Sequence, residues 1–148
     1  MISKEIAGGW QTTQLLTYKE FFMQHKIDHL IDLLEDKDKE VCFEAAYQLG
    51  KSGNKKAINP LIASLKNKNW NVRCGAAEAL GKLAAKKAIQ PLIALLNDPD
   101  RDVRCVTACA LGKLGNKKAI EPLIALLNDQ DSEVRCEASD ALDELQRM

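Results

Sequence analysis

Aromatic side chains are scarce in this sequence: they supply 5% of its 148 residues, against 46% apolar residues overall. A core therefore has to come from Leu, Ile, Val and Ala, a composition that leans towards an all-α fold of helix packed on helix. Charge of one sign is lacking as well. Lys plus Arg and Asp plus Glu both number 21, so no global field draws the chain to nucleic acid or to a membrane surface, and a charge-driven partner needs a local patch. Long apolar runs are missing too. Nothing approaches the roughly 18 residues of a membrane-spanning helix, and no basic-then-apolar leader opens the sequence, which sets the expectation of a cytoplasmic protein without membrane contact. In that compartment the five cysteines are expected as reduced thiols and not as a disulfide frame. No glycine-rich phosphate loop, Ser/His/Asp set or zinc-type Cys/His spacing is present, so the expectation is of no catalytic residues, no metal and no cofactor.

What the sequence has instead is a repeat. Segments 27–57, 58–88, 89–119 and a shortened 120–148 align without a gap at a period of 31 residues. Ile27, Ile58, Ile89 and Ile120 open the units; Val41, Val72, Val103 and Val134 share one offset, and Leu49, Leu80, Leu111 and Leu142 share another. Each unit reads as two amphipathic pieces. In the last, Ile120, Leu123, Ile124 and Leu127 fall at helical spacing, with Pro122 in the first turn where a missing N–H costs little. A short polar link follows, with Asp131 placed as an N-cap, as are Asp38, Asn69 and Asp100 in the other units. A second helix then runs from about Glu133 to Leu145; its counterparts end near Gly53 and Gly115, which suit a left-handed C′ residue. One hairpin of this kind cannot bury both of its apolar stripes, so the units must stack.

The two short helices and the V-R-x-x-A-A-x-A-L-G pattern of the second resemble HEAT-like repeats of the bilin-lyase type over residues 27–148. The resemblance implies a right-handed α-solenoid of four repeats forming a single domain, preceded by an arm and capping helix over residues 1–26. It also implies a binding scaffold, since members of the family are mostly scaffolds and only some are enzymes. At the front, Phe21, Phe22 and Met23 are expected to cover the exposed end of the first unit. At the back, Asp143 and Glu144 replace the Gly-Lys pairs that begin at Gly50, Gly81 and Gly112, as expected where no further unit packs closely. Ala84-Ala85 stands where the other links have Gly53-Asn54 and Gly115-Asn116, so that link is expected to run differently.

On a helical wheel of the third unit's second helix, Val103, Thr107, Ala110, Leu111 and Leu114 form the buried stripe, and Cys105 and Cys109 lie almost opposite its centre. The thiols are therefore expected to line the concave wall and not the core. Cys74 and Cys136 share the offset of Cys105, and Phe43 holds it in the first unit, with Cys42 one position earlier. Framework offsets barely change between units, whereas the wall offsets vary. The candidate binding surface is accordingly Phe43, Tyr47, Trp70, Asn71, Cys74, Glu78, Arg101, Asp102, Cys105, Val106, Cys109, Cys136 and Asp140. The arginines before the thiols, Arg73, Arg104 and Arg135, either lower the thiol pKa values or, as the resemblance implies, pair with loop acids such as Asp98, Asp100 and Asp129.

Two further groupings remain. His25 and His29 are four apart on a helix, but no second histidine pair or His-Glu dipeptide accompanies them, which argues against metal. Lys51, Lys55, Lys56, Lys82, Lys86, Lys87, Lys113, Lys117 and Lys118 gather on one edge, opposite Asp36, Asp38, Asp98, Asp100, Asp129 and Asp131. The expected function is non-enzymatic: a protein segment or apolar ligand held on the concave face, with an arm bearing Trp10, Leu15 and Leu16 as a competing internal cover. The alternatives are a bilin chaperone or lyase component using the wall thiols and, more weakly, a nucleic-acid adaptor acting through the lysine ridge. The expected assembly is a monomer or weak homodimer.

Overall fold

A computed structural model describes the backbone over residues 12–148 and the side chains over residues 19–148. Eight α-helices make up this part: α1 (Thr12–Leu33), α2 (Lys39–Ser52), α3 (Ile58–Ser64), α4 (Trp70–Lys82), α5 (Ile89–Leu95), α6 (Arg101–Leu114), α7 (Ile120–Leu126) and α8 (Ser132–Arg147). A single 3₁₀ turn leads into each of α3, α5 and α7. The odd and even helices alternate as two layers. Each odd helix packs on the even helix that follows it, and the even helices pack directly on one another in the order α2, α4, α6, α8. The odd helices contact each other far less, so the stack curves with the even helices inside. This is an all-α solenoid.

The caps form as the link residues dictate. Asp38, Asn69, Asp100 and Asp131 each have extended backbone, and their side chains accept from the backbone N–H two residues on. Gly53 and Gly115 close α2 and α6 at φ 68° and 66°. The repeated apolar offsets fill the core: Leu49, Leu80 and Leu111, with Val72, Val103 and Val134, are all fully buried beside Leu61, Leu92 and Leu123.

The glycines at the shared offset set the spacing of the inner layer. A Cβ on Gly50 would lie 2.9 Å from the Ala79 Cα, one on Gly112 3.0 Å from the Ala141 Cα, and one on Gly81 3.2 Å from the Ala110 Cα. Each glycine thus lets one even helix press its backbone against an alanine of the next. Asp143, at the same offset on α8, faces no further helix and is exposed.

At the front of the described residues, α1 runs as one helix from Thr12 through residue 27 and into the first unit. Two expectations are corrected. Phe21, Phe22 and Met23 stand more than half exposed, and it is Ile27 and Leu34, with Leu30 and Ile31 beside them, that close the first unit's core. The link at Ala84 follows the same path as the glycine links, not a different one: Ala84 takes φ 51°, a left-handed conformation that strains an L-residue. Ala85 then lies buried and offers no side-chain cap where Asn54 and Asn116 accept from Lys56 and Lys118.

Candidate functional site

The inner wall is the exposed face of α2, α4, α6 and α8, and its relief is set at the seams between neighbouring helices. At the first seam Phe43 leans from α2 over α4, where a Cβ on Gly75 would lie 2.9 Å from its ring. Cys74 takes the Phe43 offset one unit on. It is buried, and its thiol is pushed up to about 12, first by that burial and then by Asp100, Asp102 and Asp98 of the next unit. Cys105 lies one unit further, is half-buried, and is raised to about 11 by burial and by Glu137, Asp131, Glu133 and Asp102. Cys74 and Cys105 therefore face the following repeat. No described helix packs beyond α8, and Cys136 is exposed. The expectation of an open row of thiols is thus corrected: Cys74 is a core residue, closed over by its neighbour. Cys42 is likewise buried.

Cys105 and Cys109 share one hollow of about 210 Å³ on α6, with Val106, Ala110 and Lys113 from the same helix, Glu78 reaching in from α4 and Glu137 from α8. Burial also raises the Cys109 thiol, opposed by Lys113 and reinforced by Glu137, Glu144 and Glu78. Of the candidate residues, Glu78, Cys105, Val106 and Cys109 are brought together here. Glu137 and Lys113 were missed. Glu137 was legible, because it holds the Val106 offset one unit on; Lys113 was assigned to the lysine edge, which adjoins the wall.

The remaining candidates do not line this hollow. Trp70 begins α4 and is 45% exposed. Tyr47 is held between two lysines, with Lys82 Nζ 4.7 Å and Lys51 Nζ 5.5 Å from its ring centroid, and Lys82 also meets Glu78 at 3.1 Å. Arg101 donates to Asp131 at 3.1 Å and approaches Asp102 and Glu133 at 3.9 Å. Asn71 is half-buried next to its cap, and Asp140 is exposed on α8.

The arginines before the thiols are not there to activate them. The Arg73 guanidinium grips Asp98 through two hydrogen bonds of 2.8 and 2.9 Å, and Arg104 grips Asp129 at 2.9 and 3.1 Å. Each also donates to the carbonyl six residues earlier, Asn67 or Asp98. These are clamps between consecutive repeats. Cys42 stands at the same offset in the first unit, and its thiol donates to the Asp36 carbonyl six residues back; the carboxylate that an arginine would hold there is replaced by Asn67. Charge and partner are lost together.

His25 and His29 are exposed, and the His25 ring meets Phe21 edge-on at 4.2 Å. No group of three His, Cys, Asp or Glu among the described residues is placed to hold a metal ion. The nine lysines of the ridge are exposed along one edge. No described helix is long and apolar enough to cross a membrane. Trp10, Leu15 and Leu16 lie outside the described side chains.

Comparison with known proteins fits this geometry. Residues 27–104 and 89–147 match the family model for HEAT repeats. No curated protein matches the sequence significantly. Among solved structures, the phycocyanin lyase complex of CpcE and CpcF from Nostoc sp. PCC7120 is similar, at 25% identity and a TM-score of 0.61 over 82% of this chain and 65% of that one. Human deoxyhypusine hydroxylase is similar at 25% identity and a TM-score of 0.72, over 82% of this chain and 44% of the hydroxylase. An engineered protein is similar at 26% identity and a TM-score of 0.64, over 81% of this chain and 62% of its own length. The chain therefore spans less than two thirds of each of these neighbours.

Proposed function

The chain belongs to the HEAT-repeat family, and from that premise we propose that it is a non-enzymatic scaffold whose inner wall holds a segment of a partner protein. The observation that carries the reading is apolar surface left open on the inner layer: the indole of Trp70 at the start of α4, 45% exposed, and the half-open floor of Cys105, Val106 and Cys109 on α6. Large apolar groups left in water on a curved, otherwise well-packed wall mark an interface, and aromatic residues are its usual anchors. The test is a selection from a random peptide display library. Binding of the selected peptides should fall at least tenfold in Trp70→Ala and Val106→Arg and be unchanged in the outer-layer variant Gln90→Glu. Peptides that bind the two wall variants as well as the parent refute the reading.

A second reading rests on the likeness to the phycocyanin lyase complex: the wall receives a bilin. Thiol chemistry bears on its covalent form. With Cys74 near 12 and Cys105 near 11, about one thiol in ten thousand or fewer is ionised at pH 7, and the thiolate is the nucleophile. Incubation with a bilin decides it. A covalent adduct at Cys105 or Cys109 supports this reading, and an adduct confined to the exposed Cys136 marks simple accessibility.

A further inference from the structure

The charge of the wall is uneven, and the unevenness specifies what the hollow takes. On the α4 side Glu78 is already paired with Lys82, and beside the hollow Arg101 gathers Asp131, Asp102 and Glu133. On the α8 side, Glu137, Asp140 and Glu144 follow one another at helical spacing and form no ion pair among the described residues. Lys113 is the single cation in the hollow and also forms none. Glu137 on the rim, followed along α8 by Asp140 and Glu144, thus stands in a row of three unmatched carboxylates, while the hollow itself holds one unmatched ammonium and an apolar floor.

We propose that the hollow on α6 is the seat of a basic, apolar partner segment: an aliphatic or aromatic side chain on Cys105, Val106 and Cys109, with an adjacent Arg or Lys among Glu137, Asp140 and Glu144. The inference rests on the scaffold reading above and gives its partner a chemistry. The floor supplies burial for the apolar group. The three carboxylates lack the cation that Lys82 and Arg101 provide elsewhere on the wall, so an incoming guanidinium gains partners without displacing any. The field of these acids is already registered by the thiols, since Glu137 raises both Cys105 and Cys109. An acidic segment would meet the same carboxylates as like charges.

The test uses the full chain and the peptides selected from the display library. Sequencing should find Arg or Lys next to Leu, Ile or Phe. A synthetic peptide of the consensus should bind at least tenfold more tightly than the same peptide with its basic residues replaced by Glu. It should weaken about tenfold against the double variant Glu137→Lys, Asp140→Lys, and shield Cys105 and Cys109 from alkylation while leaving Cys136 reactive. A consensus that is acidic or neutral, yet still dependent on Trp70, overturns the charge assignment and leaves the scaffold reading intact. Peptides indifferent to Trp70, or no enrichment at all, overturn both.

Discussion

Replacing Arg104 by Ala should cost several times more stability than replacing Arg135 by Ala, although the two occupy one offset. Arg104 makes four hydrogen bonds, two to the Asp129 carboxylate and one each to the carbonyls of Asp98 and Pro99, and its side chain and that of Asp129 are 9% and 10% exposed. Removing one partner of a buried pair costs about 3–5 kcal/mol. This pair sits at the edge of the stack, where water can reach the abandoned carboxylate, so about 2–3 kcal/mol is expected. Arg135 donates only to the Asp129 carbonyl, at an exposed site, and its loss should cost about 0.5–1 kcal/mol. Urea unfolding followed by far-ultraviolet circular dichroism measures both. In a solenoid each unit leans on its neighbours, so Arg104→Ala should also loosen α7 and α8 before the remainder, visible as lost hydrogen-exchange protection there. The pH dependence supplies an independent check. Burial raises the Asp129 carboxyl, but the hydrogen bonds from the Asp131 N–H and Arg104 outweigh it and hold the group below its ordinary value. A depressed carboxylate stabilises the fold above its unfolded pKa of about 3.9 and loses that contribution as pH falls through the folded value. Stability should therefore drop below about pH 4 in the parent and drop less in Arg104→Ala. Equal losses for the two arginine variants, or an unchanged acid limb, would refute the clamp.

Four other outcomes follow from the same structure. Ala84→Gly should stabilise the protein by about 0.5–1 kcal/mol in thermal unfolding, the relief of a left-handed alanine less the added freedom of the unfolded chain; Gly53→Ala should have the opposite sign. Gly50→Ala should lose about 1 kcal/mol in urea titration, since crowding against the Ala79 backbone exceeds the gain in helix propensity, whereas Asp143→Ala should be neutral or slightly stabilising. Titration with an aromatic disulfide should find Cys136 fast, Cys105 and Cys109 slow, and Cys42 and Cys74 silent until denaturant is added. Cys42→Arg alone should destabilise, while Cys42→Arg with Asn67→Asp should recover at least 1.5 kcal/mol by rebuilding the missing clamp, a coupling that a double-mutant cycle measures.

The repeat made the solenoid legible because a helix hairpin of fixed length returns the same offset to the same environment in every unit. Leu80 and Leu111 are buried for one reason, and Asp100 and Asp131 cap for one reason. The glycine offset was legible through its exception: Asp143 stands where no further backbone approaches. The wall was legible only in part. A helical wheel gives the direction of a side chain relative to its own helix axis, and by that measure Cys74 points away from the core. It does not include the next helix, which the Gly-Ala contacts draw close enough to close over Cys74. Ala84 was misread because alanine rarely adopts positive φ; the flanking helices hold it there, and the sequence carries no mark of that constraint. The hollow at Cys105 was half legible, since its floor lies on one helix and its carboxylate rim comes from two others.

The thiol column now has a physical meaning that joins packing to recognition. Its offset is the residue that leans into the following helix, and what it meets is the next offset one unit on. Phe43 meets Gly75, the largest side chain of the column against none. Cys105 shares its hollow with Glu137, which raises its thiol, and Val106 holds the position that the same register sets against Cys74. Size at each seam is shared between the two positions, so a small residue with weak polarity is the neutral choice wherever its partner is large, and free cysteine behaves as such a residue. The consequence is that the relief of the wall follows from seam packing. An aromatic over glycine fills the first seam flush, whereas a half-buried Cys105 against a carboxylate leaves the third seam open, and the hollow is that opening. A substitution such as Gly75→Val therefore displaces Phe43 at one seam and has no reason to alter binding at the hollow, while Cys105→Phe should fill the hollow and block binding with little loss of fold. Packing and specificity are read from the same two offsets, and the seam at which the packing is least complete is the one whose rim carries the unmatched charge.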